Sequence, residues 1–163
     1  MSSPRIPLSV SFWVPGVPVA QPRPRAVIRA GLAGVYNPPD ADKWKKQVRF
    51  RCSGAIIGGN VKPTSAPLHV TLTFDMPGGE KMFKKDGSHS AEGRRHEWEN
   101  DIYHTQKPDI DNLAKAVLDA LNPIQTPVGL QRFLWDDDAQ ICSLQVTRNW
   151  STDPGVRIEV RTP

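Results

Sequence analysis

Asp109-Ile-Asp-Asn-Leu-Ala-Lys-Ala-Val-Leu-Asp-Ala-Leu-Asn122 is the stretch that decides how this 163-residue chain is read. Ile110, Leu113, Ala114, Val117, Leu118 and Leu121 recur at helical spacing, which predicts an amphipathic helix with one apolar stripe to bury. Asn122-Pro123 ends it, because the residue before proline avoids the helical region. At about 100° per residue, Asp111, Asn112, Lys115 and Asp119 turn away from the stripe, and Asp109 stands at the helix mouth. Acids in a first turn and i, i+4 Asp–Lys pairs also decorate ordinary exposed helices. The helix alone therefore does not separate a site from a solvated face.

Around this helix the sequence predicts strands. Leu68, Val70, Leu72, Phe74 and Met76 alternate within Pro67 to Met76, the clearest strand pattern in the chain. Ala139 to Thr147 and Val156 to Val160 supply two more, expected as a hairpin turning at Asp153-Pro154-Gly155. Leu8 to Val14 reads as an opening strand. The next segment, Pro15 to Arg25, holds four prolines and is expected to be an extended loop carrying Arg23 and Arg25, with Arg29 soon after, that ends at Asn37-Pro-Pro-Asp40. A second helix is expected from Asp40, with Ala41, Trp44, Val48, Cys52 and Ala55 facing inward and a dense basic decoration that includes Lys43, Lys45 and Lys46. From about 77 to 106 the chain is polar and without period, expected as a long mobile insertion. The fold class implied is α+β: a mixed sheet of about four strands with two main helices packed on it, as one domain over residues 1–163.

Charge and cysteines narrow the partners. The net charge is +4, and a positive excess favours a polyanion such as nucleic acid. Cys52 and Cys142 are isolated, with no CxxC pair, which argues against a zinc knuckle and for two free, buried thiols in a reducing cytoplasm. Met1 to Ser11 lacks the apolar run of a signal peptide, and no stretch approaches the roughly 18 apolar residues of a membrane span. None of the four histidines has metal-ligand spacing; His104, close to Lys107, is the one singled out.

A second acidic element changes the weight of the first. Trp135-Asp136-Asp137-Asp138-Ala139-Gln140 places three adjacent carboxylates at a strand entrance, where mutual repulsion is costly without a counter-cation. Turns do favour aspartate. Two acidic clusters, one at a helix mouth and one at a strand start, nevertheless point jointly to a hard-cation site, and oxygen donors without Cys or His select Mg²⁺, or Mn²⁺ in its place, over Zn²⁺. Lys115, one turn beyond Asp111, is positioned to orient the attacking water, to neutralise charge developing on a phosphate, or to form a simple salt bridge. Trp135 is read as a base-stacking residue or as a core or dimer-interface side chain.

Lys107-Pro-Asp-Ile-Asp-Asn-Leu-Ala-Lys-Ala-Val-Leu-Asp-Ala-Leu121, followed by Trp135-Asp-Asp-Asp-Ala-Gln-Ile141, resembles the RusA family of Holliday-junction resolvases. Val14 to Arg25 resembles that family's opening strand and loop, so the likeness covers nearly the whole chain outside 77–106. The resemblance implies that Asp109, Asp111 and Asp138 bind Mg²⁺ and that Lys115 is catalytic. It further implies that Asn112 braces the site, that Asp137 matches a second acid, and that Asp119 matches a later, structural one. It also implies a homodimer that cuts paired strands of branched, four-way DNA. Arg23, Arg25, Lys107 and Asn112 are the expected DNA contacts.

Two departures stand out. Asp136 is an extra acid, which leaves the ligand assignment among Asp136, Asp137 and Asp138 open by one place. The insertion, with Lys81, Lys84, Lys85, Arg94 and Arg95 tempered by Glu92, Glu97 and Glu99, is longer than compact members need. The expected function is a Mg²⁺-dependent structure-specific endonuclease. The alternatives are a branch-binding protein with a structural metal and a metal-dependent nuclease for another branched or single-stranded substrate.

Overall fold

The computed structural model describes residues 8–22, 25–29, 32–36, 39–78, 86, 88, 90 and 103–163. Four strands form the main sheet: β1 (Ser9–Pro15), β4 (Leu68–Pro77), β7 (Ile141–Ser151) and β8 (Gly155–Arg161), in the order β1-β8-β4-β7. The pairs β1–β8 and β8–β4 are antiparallel, while β4–β7 is parallel, so the sheet is mixed as expected. Alternation carries the packing. Val10, Phe12 and Val14 of β1, all five predicted residues of β4, and Val156, Ile158 and Val160 of β8 are buried.

The last two strands do not form the expected hairpin. β8 follows β7 through a tight connection, yet it lies on the far side of β4. The residue types account for this. β8 is apolar at every second position and fits between two antiparallel neighbours, whereas β7 exposes Ser143 and Gln145 and suits an edge. Gly155 makes the crossing possible. A Cβ there would lie 2.2 Å from the Trp13 ring and 2.6 Å from the Val14 carbonyl oxygen.

Two small hairpins also depart from expectation. β2 (Arg25–Arg29) pairs with β3 (Leu32–Tyr36) inside the stretch read as loop. The prolines end at Pro24, and the residues beyond it, with Val27, Ile28 and Val35, are good strand formers. β5 (Ile124–Thr126) and β6 (Gly129–Gln131) pair directly after the decisive helix. Their turn closes through Gly129 at φ +121° and the Thr126 hydroxyl, which donates to the Gly129 carbonyl at 2.7 Å.

The helices lie where the periodicity put them. α1 (Pro39–Gly59) buries Ala41, Trp44, Val48 and Cys52. α2 (Ile110–Leu121) buries Leu113, Ala114, Ala116, Val117, Ala120 and Leu121. The buried stripe is rotated relative to expectation: Ala116 and Ala120 are inside, while Ile110 is exposed and Leu118 half-buried. The small alanines let α1 come close. Arg49 Nε of α1 donates to the Ala120 carbonyl at 2.9 Å, satisfying an acceptor that the helix end leaves open. α1 also reaches β1, where the Gln47 side-chain amide donates to the Pro15 carbonyl.

Of the cysteines, Cys52 is buried and its thiol is pushed up to about 12 by burial, whereas Cys142 is exposed on the edge strand, not buried as expected. Trp135 is fully buried, and its indole donates to Asn122 Oδ1 at 2.8 Å, a core role. Most of the 77–106 insertion lies outside the described residues. Its C-terminal end is more regular than expected: Tyr103 bridges Asn149 antiparallel, and His104 N–H donates to the Arg148 carbonyl at 3.0 Å. Among the described residues, no helix is long and apolar enough to cross a membrane.

Candidate active site

One face of α2 and the start of β7 enclose an open cleft of about 280 Å³. Asp111, Lys115 and Asp119 enter it from α2, and Asp138 enters from the turn before β7. Ile110, Ala114, Leu118, Leu144 and Val146 form its apolar floor. The two acidic clusters of the sequence thus meet across one cleft, with the lysine between successive turns of the helix.

The acidic turn sorts its three carboxylates by task. Asp136 pairs with Arg132 at 3.1 Å. Asp137 caps the short 3₁₀ turn Asp138–Gln140, its carboxylate accepting from Ala139 N–H at 2.8 Å. Asp138 alone of the three lines the cleft, and it has no ion-pair partner among the described residues. Gln140 fixes the turn from both ends of its amide. Its oxygen accepts from the N–H groups of Asp136 and Asp137, and its nitrogen donates to the carbonyls of Thr64 and Ala66. This bracing residue was missed as a site residue, although Asp137-x-x-Gln140 is a capping-box signature visible in the sequence.

Lys115 does not pair with Asp111. Its ammonium lies 3.6 Å from Asp119, whose other oxygen lies 3.6 Å from Lys45 of α1. Asp111 is exposed and without an ion-pair partner among the described residues, so its carboxylate is open to the cleft. Asp109 is the N-cap of α2 and exposed; its side chain makes no capping hydrogen bond, and it does not line the cleft.

Behind Asp109 the chain is held by a residue the sequence does not mark. The Arg148 guanidinium of β7 donates to the Gln106 carbonyl at 2.9 Å and to the Pro108 carbonyl as well. Its partners lie far upstream, so no local pattern announces it. His104, buried at 6% exposure, packs against the Trp150 ring at 4.3 Å. Burial, with the charge of Arg148, holds its imidazole below the ordinary value. It is a supporting side chain of this segment.

Asn112 contributes through its backbone: its carbonyl accepts from Gln21 N–H at 2.8 Å, which ties the start of the basic loop to the first turn of α2. Arg23 lies outside the described residues, and Arg25 begins β2. Lys107 is exposed one residue before the Pro108 that Arg148 holds.

A family model for the endodeoxyribonuclease RusA matches residues 15–161. The chain belongs to the RusA family of endodeoxyribonucleases. It is also 31% identical over 156 residues to the uncharacterized protein YqaN of Bacillus subtilis (strain 168), covering 93% of this chain and 95% of that protein. The RusA match runs through both sides of the cleft, from β1 to the end of β8.

The chemistry of the cleft suits a RusA-type metal requirement. Its carboxylates are hard oxygen donors, and Mg²⁺ keeps several waters and needs only one or two protein carboxylates when substrate phosphates complete its shell. Asp111 and Asp138 are donors of that kind and both line the cleft. Among the described residues, no three His, Cys, Asp or Glu side chains converge to hold a cation, and Asp109 does not line the cleft.

Proposed function

We propose that this RusA-family endodeoxyribonuclease is a Mg²⁺-dependent Holliday-junction resolvase that cuts paired strands of four-way DNA as a homodimer. One observation carries the catalytic part: Asp111 and Lys115 of α2 and Asp138 of the turn before β7 share a single open cleft. The substrate geometry rests on the family. Free Cys52 and Cys142 suit a reducing cytoplasm.

Asp111 and Asp138 would hold the cation, with Asp109 as the third acid once substrate is present. Mg²⁺, or Mn²⁺ in its place, would neutralise a scissile phosphate and make water more acidic. The protein's own groups do the rest. As its ligands, Asp111 and Asp138 would set where the cation sits between helix and turn, and so where a phosphate would meet it. Lys115, reaching the same cleft, donates to a non-bridging phosphate oxygen as negative charge builds there. Gln140 keeps Asp138 directed at the cleft through backbone bonds, and Arg148 keeps the segment before Asp109 in register. Arg23, Arg25 and Lys107, with Asn112 tethering the basic loop, approach the phosphates of the DNA arms.

The test is cleavage of a synthetic four-way junction against linear duplex of the same sequence, with Mg²⁺ and with EDTA. Symmetric nicking of the junction alone, abolished by EDTA, is the expected result. Equal cutting of duplex, or cutting that survives EDTA, would reject the reading.

A further inference from the structure

We propose that Asp119 is a positioning residue for Lys115, and that Lys45 of α1 in turn fixes Asp119. The inference rests on the nuclease reading above. Asp119 spends one oxygen on each lysine, at 3.6 Å in both cases. The side chain of Lys45 is 15% exposed, that of Asp119 25%, and that of Lys115 63%. The chain of contacts thus runs from a largely buried anchor on one helix to an accessible ammonium on the other.

An i, i+4 pair on a helix surface is ordinary by itself and contributes little to stability. Two features set this one apart. Asp119 lines the same cleft as Asp111 and Asp138, and its second oxygen is held from a different helix. Lys115 also has a competing acid four residues before it, Asp111, and it turns the other way. A lysine drawn onto Asp111 would neutralise a carboxylate that the cleft needs for a cation. Held by Asp119, the ammonium stays at the rim of the cleft and Asp111 stays free. Long lysine side chains otherwise sample many rotamers, so an anchored one loses less freedom when it meets a phosphate.

The test compares single-turnover cleavage of a four-way junction in Mg²⁺ with junction binding in Ca²⁺. The variants are Asp119→Asn, Asp119→Glu, Lys45→Met, Lys115→Ala and the double change Lys115→Ala/Asp119→Asn. Asp119→Asn should slow cleavage about tenfold, the scale of a misplaced catalytic group. Junction binding should not move, whereas the Mg²⁺ concentration for half-maximal rate should rise, because the released ammonium competes with the cation at Asp111. Asp119→Glu should recover part of the rate, and Lys45→Met should lose part of it. The double variant should be no slower than Lys115→Ala alone, because Asp119 acts through the lysine. NMR order parameters of the Lys115 ammonium should fall in Asp119→Asn without any turnover. Lys115→Ala slow with Asp119→Asn at the wild-type rate, or losses that multiply in the double variant, would overturn this inference and leave the nuclease reading intact. Lys115→Ala at the wild-type rate would remove the lysine from that reading and this inference with it. If Asp119→Asn fails to fold, Asp119→Glu and Lys45→Met decide by the same comparisons.

Discussion

Asp137 and Gln140 cap each other: the carboxylate of Asp137 accepts from the N–H groups of Ala139 and Gln140 in the 3₁₀ turn, and the Gln140 side-chain oxygen accepts from Asp137 N–H at 3.0 Å. The reciprocal cap consumes Asp137 and directs its neighbour Asp138 into the cleft. Gln140→Ala removes the acceptor for two backbone N–H groups and the donor to two carbonyls. Each unmet group costs about 1–3 kcal/mol if it stays dry, and water reaching this partly exposed turn will recover some of that. We expect thermal unfolding to drop by several degrees and junction cleavage to fall at least roughly tenfold, as for other residues that orient a ligand. Circular dichroism and a cleavage assay check the two halves separately.

The sorting of the acidic turn predicts unequal effects from equal substitutions. Asp138→Asn and Asp111→Asn should each lower cleavage roughly 100-fold or more, the scale of losing the electrostatic stabilisation that the cation they would hold supplies at the reacting phosphate. Junction binding in Ca²⁺ should persist in both. Asp136→Asn, which loses only an exposed pair with Arg132, should cleave within about threefold of wild type, since such pairs contribute little. Equal loss at Asp136 and Asp138 would contradict the sorting.

Gly155 tests the sheet order. Alanine there puts a methyl group into the Trp13 ring and against the Val14 carbonyl, where neither backbone nor ring has room. Overpacking of this kind costs about 1–3 kcal/mol. For a chain of this length that is roughly 2–12 °C in Tm. A Trp13→Ala/Gly155→Ala pair should recover part of the ring contribution, read by the same melting curves.

His104 makes stability depend on pH in a stated direction. Its folded-state value is depressed, mainly by burial and then by Arg148, below the ordinary 6.5. Above that unfolded value both states are neutral and its contribution is complete. As pH falls through 6.5 the unfolded chain takes up the proton first, so stability declines down to the folded-state value. Melting temperature should therefore fall between pH 7 and pH 5, and His104→Gln should flatten this slope. A wild-type slope unchanged by the substitution would assign the pH dependence elsewhere.

Much of this arrangement is legible from residue patterns alone. Alternation located β1, β4 and the core of β8, and helical spacing located α1 and α2, because in each case one face must be buried and the period records it. What failed was anything set by partners distant in the chain. The hairpin expected at Asp153-Pro154-Gly155 is split by β4, since a turn motif reports a reversal but not which strand fills the gap. Prolines masked the neighbouring hairpins β2–β3 and β5–β6. At the site, Asp111, Lys115 and Asp138 were readable as chemistry. Their division of labour was not, because Lys115 lies against Asp119, which it shares with Lys45 of α1, and Asp136 is paired with Arg132. Arg148 left no trace, as its carbonyl partners Gln106 and Pro108 are distant in sequence.

The parallel pairing of β4 with β7 sets Leu68 against Ile141 and joins segments on either side of the insertion. Such long-range parallel contacts form late, because a large loop must close before the ladder gains anything. Asp138 sits at the head of β7, and Gln140 ties it to the carbonyls just before β4. The two sides of the cleft therefore face each other only where this long-range pairing is formed. Without it, α2 keeps its lysine and aspartates but has no carboxylate opposite them.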